Sequence, residues 1–307
     1  MELNADIIPI GPCQWRLVSQ DGDCITLDSP PAAWVESLHY LCRGFSLTVD
    51  AGLEAILRQS RMMVAAPPAG SVVVVGCGLL AAEVTLGLAM AGWPVLVSAP
   101  GAASIVIDPQ RCYTDGAAAI RAWVRTRLPA AHVEATCHWT ALTPGSSNLV
   151  IVATDTVQPD RAITDHLARQ RLTCLVVRAH HDTGVVGPLV AYPTGPCLAC
   201  LDLTMADHDP WWLATLTSLI GRQARPSAAA AHWAGTQAAF EAEWFLRGAG
   251  STLIASTIEV NTSQAGIARR RWQPHPDCNC QLTLGNIIDL PVRSQSGLDS
   301  EVLPLAA

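Results

Sequence analysis

Hydrophobic and polar positions along the chain follow three successive regimes. In the first 66 residues, the short alternating runs IIPIG, CQWRLVS and CITLD predict half-buried strands. QDGD between the last two predicts a hairpin, because Asp-Gly suits turns that need positive φ. Helical spacing follows. PPAAWVESLHYLCRG brings Trp34, Leu38 and Leu41 near one face, with Gly44 as a stop. TVDAGLEAILRQSRMM spaces Val49, Leu53, Ile56 and Leu57 behind Asp50, a residue suited to an N-cap. Strands then helices over residues 1–66 predict a small winged-helix-like module, and AAPPAGS after it reads as a linker.

Residues 67–307 carry a different pattern. In SVVVVGCGLLAAEVTLGLAMAGWPVLVSAP, four consecutive valines predict a strand buried on both faces of a parallel sheet. A Gly-rich turn leads from it into an amphipathic helix, and PVLVS forms the next strand. AAIRAWVRTRL predicts a further helix, while NLVIVATD and TCLVVRA predict buried strands. Such alternation implies a doubly wound α/β sheet with right-handed crossovers. In the tail, DPWWLATLTSLIGRQ and AAAAHWAGTQAAFEAEWFLRG read as helices and STLIASTIEVN as a strand.

Composition narrows the function. At 307 residues, half apolar and 15% charged, the chain has ample length for a real core. A net charge of -7 offers no footprint for nucleic acid or an anionic membrane. All 19 basic residues are arginine, so any mechanism requiring a lysine is excluded. Between Arg61 and Asp108 the only charge is Glu83, which raises a membrane span. APPAG, GCG and GWP interrupt that stretch, so it reads instead as strand, turn, buried helix and strand. The start, MELNADIIPIG, lacks a basic n-region and is not read as a secretory signal. With 11 cysteines, an odd number, a disulfide framework is disfavoured, and a cytoplasmic protein with a metal site is expected.

Four of those cysteines carry the clearest chemistry. Cys197 and Cys200 form a C-x-x-C in GPCLACLDL, and Cys278 and Cys280 close PHPDCNC. Four thiolates satisfy the tetrahedral preference of structural Zn2+ and leave no open position for catalysis. The ion would clip two distant segments together. His275 beside that loop reads as a packing residue or a support for the metal ligands.

Elsewhere the signals leave alternatives open. Gly76 and Gly78 sit in G-x-G-x-x-A after a strand and at a helix start, a turn that can approach phosphates or can be kept for packing. The acid that a ribose usually needs after the second strand is missing from VLVSAP. Asp155 ends a buried strand, where it can hold magnesium beside a phosphate or cap the helix that follows. His180 and His181 read as a solvated loop pair, and Asp207 to Asp209 as the start of the helix at PWW.

Together, VVVVGCGLLAAE, NLVIVATD, GPLVAYPTGPCLACLDL and RRWQPHPDCNC resemble the ThiF/E1-like superfamily, and within it the ThiF-like proteins of thiazole/oxazole-modified and related ribosomal peptide pathways. The resemblance covers residues 70 to about 285. It implies a Rossmann-like E1/ThiF-type domain with a four-cysteine structural zinc site, commonly dimeric. For the N-terminal 66 residues it implies a peptide-recognition element, in which a precursor's leader adds a strand to the small sheet. Cys24, Ile25, Thr26 and Leu27 are then the receiving strand, with Leu53, Ile56 and Leu57 as an apolar wall.

Departures from the family pattern bear on the chemistry. Leu79 and Ala81 replace expected glycines, the ribose acid is missing, and Arg111 is the most that the chain offers for the family's arginine. No lysine is available to grip phosphates, while Asp155 matches the magnesium ligand. Gly76, Gly78, Arg111 and Asp155 therefore read as a vestigial nucleotide site, and ATP is not expected as a cofactor. The expected function is a non-catalytic scaffold that binds a leader peptide and delivers it to a separate cyclodehydratase-type enzyme. Two rivals remain: an ATP-dependent adenylating enzyme using arginine for lysine, and an NAD(P)-dependent oxidoreductase suggested by the Gly-rich turn alone.

Overall fold

The computed structural model describes residues 2–3, 5–19, 22–43, 47–60, 62–64, 71–99, 105–108, 111–113, 115–145, 147–192, 195–248 and 250–281. The N-terminal part contains strands β1 (Glu2–Leu3), β2 (Ala5–Gly11), β3 (Gln14–Ser19) and β4 (Cys24–Asp28), helices α1 (Ala32–Cys42) and α2 (Ala51–Gln59), and strand β5 (Met63–Val64). Strands β2, β3 and β4 form an antiparallel sheet in that order, so β4 is an edge among the described residues. β1 pairs with β5 in a separate two-stranded ladder.

Alternation along β3 sends Trp15, Leu17 and Ser19 to one face and Gln14 and Arg16 to the other, and both helices pack on the first. Leu17, Leu38, Leu53 and Leu57 lie fully buried there. Asp50 caps α2 as its position suggests, accepting from the N–H groups of Gly52 and Leu53. Gly22 takes φ +87°, the positive value expected of the Asp-Gly turn, while Gln20 and Asp21 of that turn fall outside the described residues. Gly44 and residues 65–70 of the linker fall outside them too; α1 ends at Cys42, with Arg43 as its C-cap.

The larger part opens with β6 (Val72–Val75), α3 (Leu79–Met90) and β7 (Val95–Ser98). A two-stranded ribbon, β8 (Ile105–Asp108) with β9 (Arg111–Tyr113), precedes α4 (Gly116–Arg125) and β10 (Val133–Ala135). Then come β11 (Leu149–Val152), α5 (Arg161–Arg169), β12 (Cys174–His180) and β13 (Thr183–Val190). Helices α6 (Leu198–His208), α7 (Trp212–Leu219) and α8 (Ala228–Leu246) precede β14 (Ser256–Asn261) and β15 (Gly266–Arg271).

Eight strands join in the order β10-β7-β6-β11-β12-β13-β14-β15, parallel as far as β12 and antiparallel beyond it. Counted along the chain, the parallel strands run 3-2-1-4-5, the doubly wound order that reverses between β6 and β11. All four valines of β6 are buried, as expected of a strand covered on both faces. On one face, α3 packs on β6 and β7 and α8 packs on β12 and β13, the two helices lying against each other, which explains a helix α3 almost without charge. Their backbones approach closely because a Cβ on Gly235 would strike Glu83 and Val84. On the other face, Ile163 and Leu167 of α5 cover Val73, Val75, Val150 and Val152. Among the described residues no helix is long and apolar enough to cross a membrane.

Candidate metal centre and strand-end crevice

Cys197 and Cys200 enter at the N-terminal end of α6, and Cys278 and Cys280 arrive from the segment after β15. The Sγ atoms stand 3.8 Å apart for Cys197–Cys200, 3.6 Å for Cys197–Cys278 and 3.4 Å for Cys200–Cys280, and all four lie within 4.8 Å of one another. A tetrahedral zinc at about 2.3 Å from each sulfur sets its ligands about 3.8 Å apart. The donor set therefore fits such an ion without rearrangement. The hydrogen bond from the Cys197 thiol holds the Cys200 thiol down to about 4, while that same bond and burial push Cys197 up. Burial pushes Cys278 up to about 11. A cation between them would be needed to hold all four as thiolates.

A second layer of contacts fixes the ligands. The His275 backbone N–H donates to the Cys200 sulfur. The His275 ring accepts the Asp277 N–H at Nδ1, 3.1 Å away, leaving Nε2 to donate to Asp207 Oδ2 at 2.9 Å. Asp207 belongs to α6, so the helix that supplies Cys200 also pins the loop that supplies the other pair. Asp207 thus ends α6 instead of opening α7, and Asp209, the C-cap of α6, accepts the Trp211 N–H in the turn ahead of α7, which has no side-chain cap.

The second candidate lies where the strand order reverses, at the carboxyl ends of β6 and β11. Gly76 approaches the Ala153 carbonyl so closely that any Cβ would collide with it. Asp155 does not cap the helix that follows it. Its carboxylate crosses to the start of α3, where the Leu80 N–H donates to Oδ1 at 3.2 Å and those of Gly78 and Leu79 also donate. A Cβ on Gly78 would fall on that carboxylate. Oδ2 is buried without a partner among the described residues, and burial pushes the carboxyl up to about 6 against the pull of the three N–H groups. Helix N-termini at this position are where phosphates bind in nucleotide folds. Here the chain's own carboxylate occupies those donors.

Other members of the predicted nucleotide set are less supportive. Ser98 ends β7 where an acid would hold a ribose, and its hydroxyl is buried without a partner among the described residues. Arg111 begins β9, and its side chain falls outside the described residues. His180 and His181 end the β12–β13 ladder with ring centroids 4.0 Å apart, and His180 Nδ1 accepts the Arg225 N–H.

In the N-terminal part, the predicted peptide-contact residues separate by burial. Leu27, Leu53 and Leu57 fill the module's own core, Ile25 and Ile56 are half-buried, and Cys24 and Thr26 face outward. A groove of about 680 Å³ opens beside them, between the β2–β3 turn and the outer face of α1. Trp15, Val35, His39 and Tyr40 line it, with Trp15 meeting the His39 ring edge-on at 5.4 Å. Sequence spacing pointed to α2 and missed this side; the excess of aromatic residues in AAWVESLHY was its only signal.

No protein-family model matches the chain, and no curated protein matches it in sequence. Solved structures match in fold. MccB from E. coli with ATP superposes at a TM-score of 0.57 and 12% identity, covering 91% of this chain and 99% of that one. The microcin C7 biosynthetic enzyme MccB in complex with N-formylated MccA gives 0.57 and 11%, with the same coverage of 91% and 99%. PaaA gives 0.51 and 12%, covering 74% of this chain and 85% of that one. The fold is ThiF-like, as the sequence resemblance implies.

Proposed function

We propose that the chain is a non-catalytic scaffold of ribosomal-peptide modification. Its N-terminal, winged-helix-like module binds the leader of a precursor peptide, and the whole presents the core peptide to a separate cyclodehydratase-type enzyme. The observation that carries the non-catalytic part is the Asp155 carboxylate seated on the amides of Gly78, Leu79 and Leu80. A triphosphate would have to displace an anion from these donors. It would do so in a chain with no lysine to offset phosphoryl charge.

Peptide binding is supported by the edge position of β4 and by the fold likeness to an MccB structure that holds N-formylated MccA. A peptide strand added along Cys24–Leu27 gains main-chain hydrogen bonds, and its alternate side chains need pockets. Followed past Asp28, that strand reaches Ser29 and Pro30, which line the α1 groove. Leu53 and Leu57 then support the surface from beneath, and Ile56 is the α2 residue left to touch the peptide. Zinc is the proposed occupant of the four-cysteine centre, with a structural role. A homodimer completes the reading, with the exposed Phe240–Trp244 pair of α8, centroids 5.5 Å apart, as its face. A monomer mass by light scattering would remove that last part.

Calorimetry of magnesium-ATP against purified, zinc-loaded protein tests the central claim. No saturable heat is expected up to millimolar ATP. Micromolar binding would overturn the scaffold in favour of an ATP-dependent adenylating enzyme, the reading that the fold likeness to MccB with ATP favours.

A further inference from the structure

A cavity of about 190 Å³ lies where α6 and α7 face β12, β14 and β15. It shares no residue with the metal ligands, the Gly-rich turn or the N-terminal module. Leu198, Leu201, Met205, Trp212 and Trp272 make its apolar walls. Five charged side chains also line it, and four of them are spent on one another. Arg161 grips both oxygens of Asp202, at 2.7 and 2.8 Å, and Arg270 pairs with Glu259 at 2.9 Å.

Arg178 is the exception. It interrupts the apolar strand CLVVRAH, and among the described residues nothing accepts a hydrogen bond from its guanidinium. Burial pulls its pKa below the ordinary arginine value; Arg161 adds to that pull, and Glu259 and Asp202 oppose it. The residue is half-buried and lines the cavity, so its guanidinium offers that space donors that no side chain takes up among the described residues. Trp212, in the same wall, carries a second donor without a partner among the described residues, its buried Nε1–H.

The ligand can be narrowed by charge and size. One free guanidinium balances one negative charge. A phosphate dianion would set a second charge against Asp202 and Glu259. A cavity of about 150 Å³ holds benzene, whereas clefts for larger ligands start near 300 Å³. The space at hand therefore suits one amino-acid-sized group. We propose that this cavity binds a carboxylate with a compact apolar body, the carboxylate on Arg178 and the body between Trp212 and Trp272. A free small carboxylic acid and the C-terminal residue of a peptide share that chemistry.

The test uses the full chain and four probes: 3-phenylpropionate, its amide, and Ala-Ala-Phe as free acid and as C-terminal amide. Calorimetry and thermal melting read each one. At least one acid should bind in a 1:1 saturable manner and raise the melting temperature, with its amide at least about tenfold weaker. Binding of 3-phenylpropionate alone assigns a free acid, whereas discrimination between the two Ala-Ala-Phe forms assigns a peptide terminus. Arg178→Met should abolish the preference for acid over amide. Equal binding of acid and amide, or no saturation by either acid to about 20 mM, would overturn the proposal. Should the variant fail to fold, the acid-amide comparison on the native chain decides by itself.

Discussion

At the scale of single residues, Asp155 shows how one carboxylate separates two functions. As a magnesium ligand it would face the crevice; here it turns to the start of α3, 75 positions away in sequence. Its pKa of about 6 stands above the unfolded value near 3.9, so between about pH 4 and 6 the native chain holds more protons than the unfolded one. Its stabilising contribution is therefore fully present below pH 4 and is lost as pH rises through 6. Asparagine keeps an oxygen for the Leu80 N–H and has no charge to desolvate. Asp155→Asn should stabilise the protein at pH 8 by at most about 3 kcal/mol, with the difference shrinking toward pH 4. Urea denaturation at both pH values measures this. A loss of stability at pH 8 would mean that the carboxylate is matched by a cation, as a working nucleotide site requires. The sequence revealed an acid at a strand end, but a cap 75 residues distant has no local pattern.

At the scale of elements, the apolar runs and turn residues anticipated most strands and helices, because β6, β11 and β12 are buried on both faces and need no partner to declare them. β15 was invisible: GIARRR is exposed along its whole length and is a strand only because β14 supplies the ladder. The α1 groove was equally hidden, since it exists only between that helix and the β2–β3 turn. Two charge insertions distinguish the walls open to a leader peptide under the proposed function. Val35 is half-buried in the α1 groove, and Ile56 is half-buried on α2. Placing glutamate at either spares the fully buried leucines, so the fold should persist by circular dichroism. Val35→Glu and Ile56→Glu should each weaken leader binding by about tenfold or more, roughly 1.4 kcal/mol, in fluorescence anisotropy with labelled peptide. A loss confined to Val35→Glu would place the peptide in the α1 groove alone. Unchanged affinity in both would remove the module from peptide recognition.

At the scale of the molecule, the proposed zinc would tie the ends of an 80-residue excursion, Cys200 to Cys280, that contains most of α6 and all of α7, α8, β14 and β15. Strands β6, β7, β10 and β11 lean little on that excursion, being covered by α3, α4 and α5, whereas β12 packs on α6 and α8 within it. Strand β15 needs the tie: it is the sheet's outer edge, exposed throughout, and the chain leaves it directly toward the metal centre. Closing a loop of this length stabilises a fold by about 4–5 kcal/mol in the chain-entropy account. Cys280→Ser leaves three ligands and should lower metal content from about one ion per chain to a small fraction of that. Unfolding free energy should fall by a comparable amount, about 4–5 kcal/mol. Chelation of the native protein should act in the same direction. Damage should begin at the edge, so limited trypsin digestion should cut first at Arg269 to Arg271 while the fragment before β14 stays resistant. If the variant keeps its metal and its resistance, the two cysteine pairs do not share an ion, and β15 is held by its ladder to β14 alone.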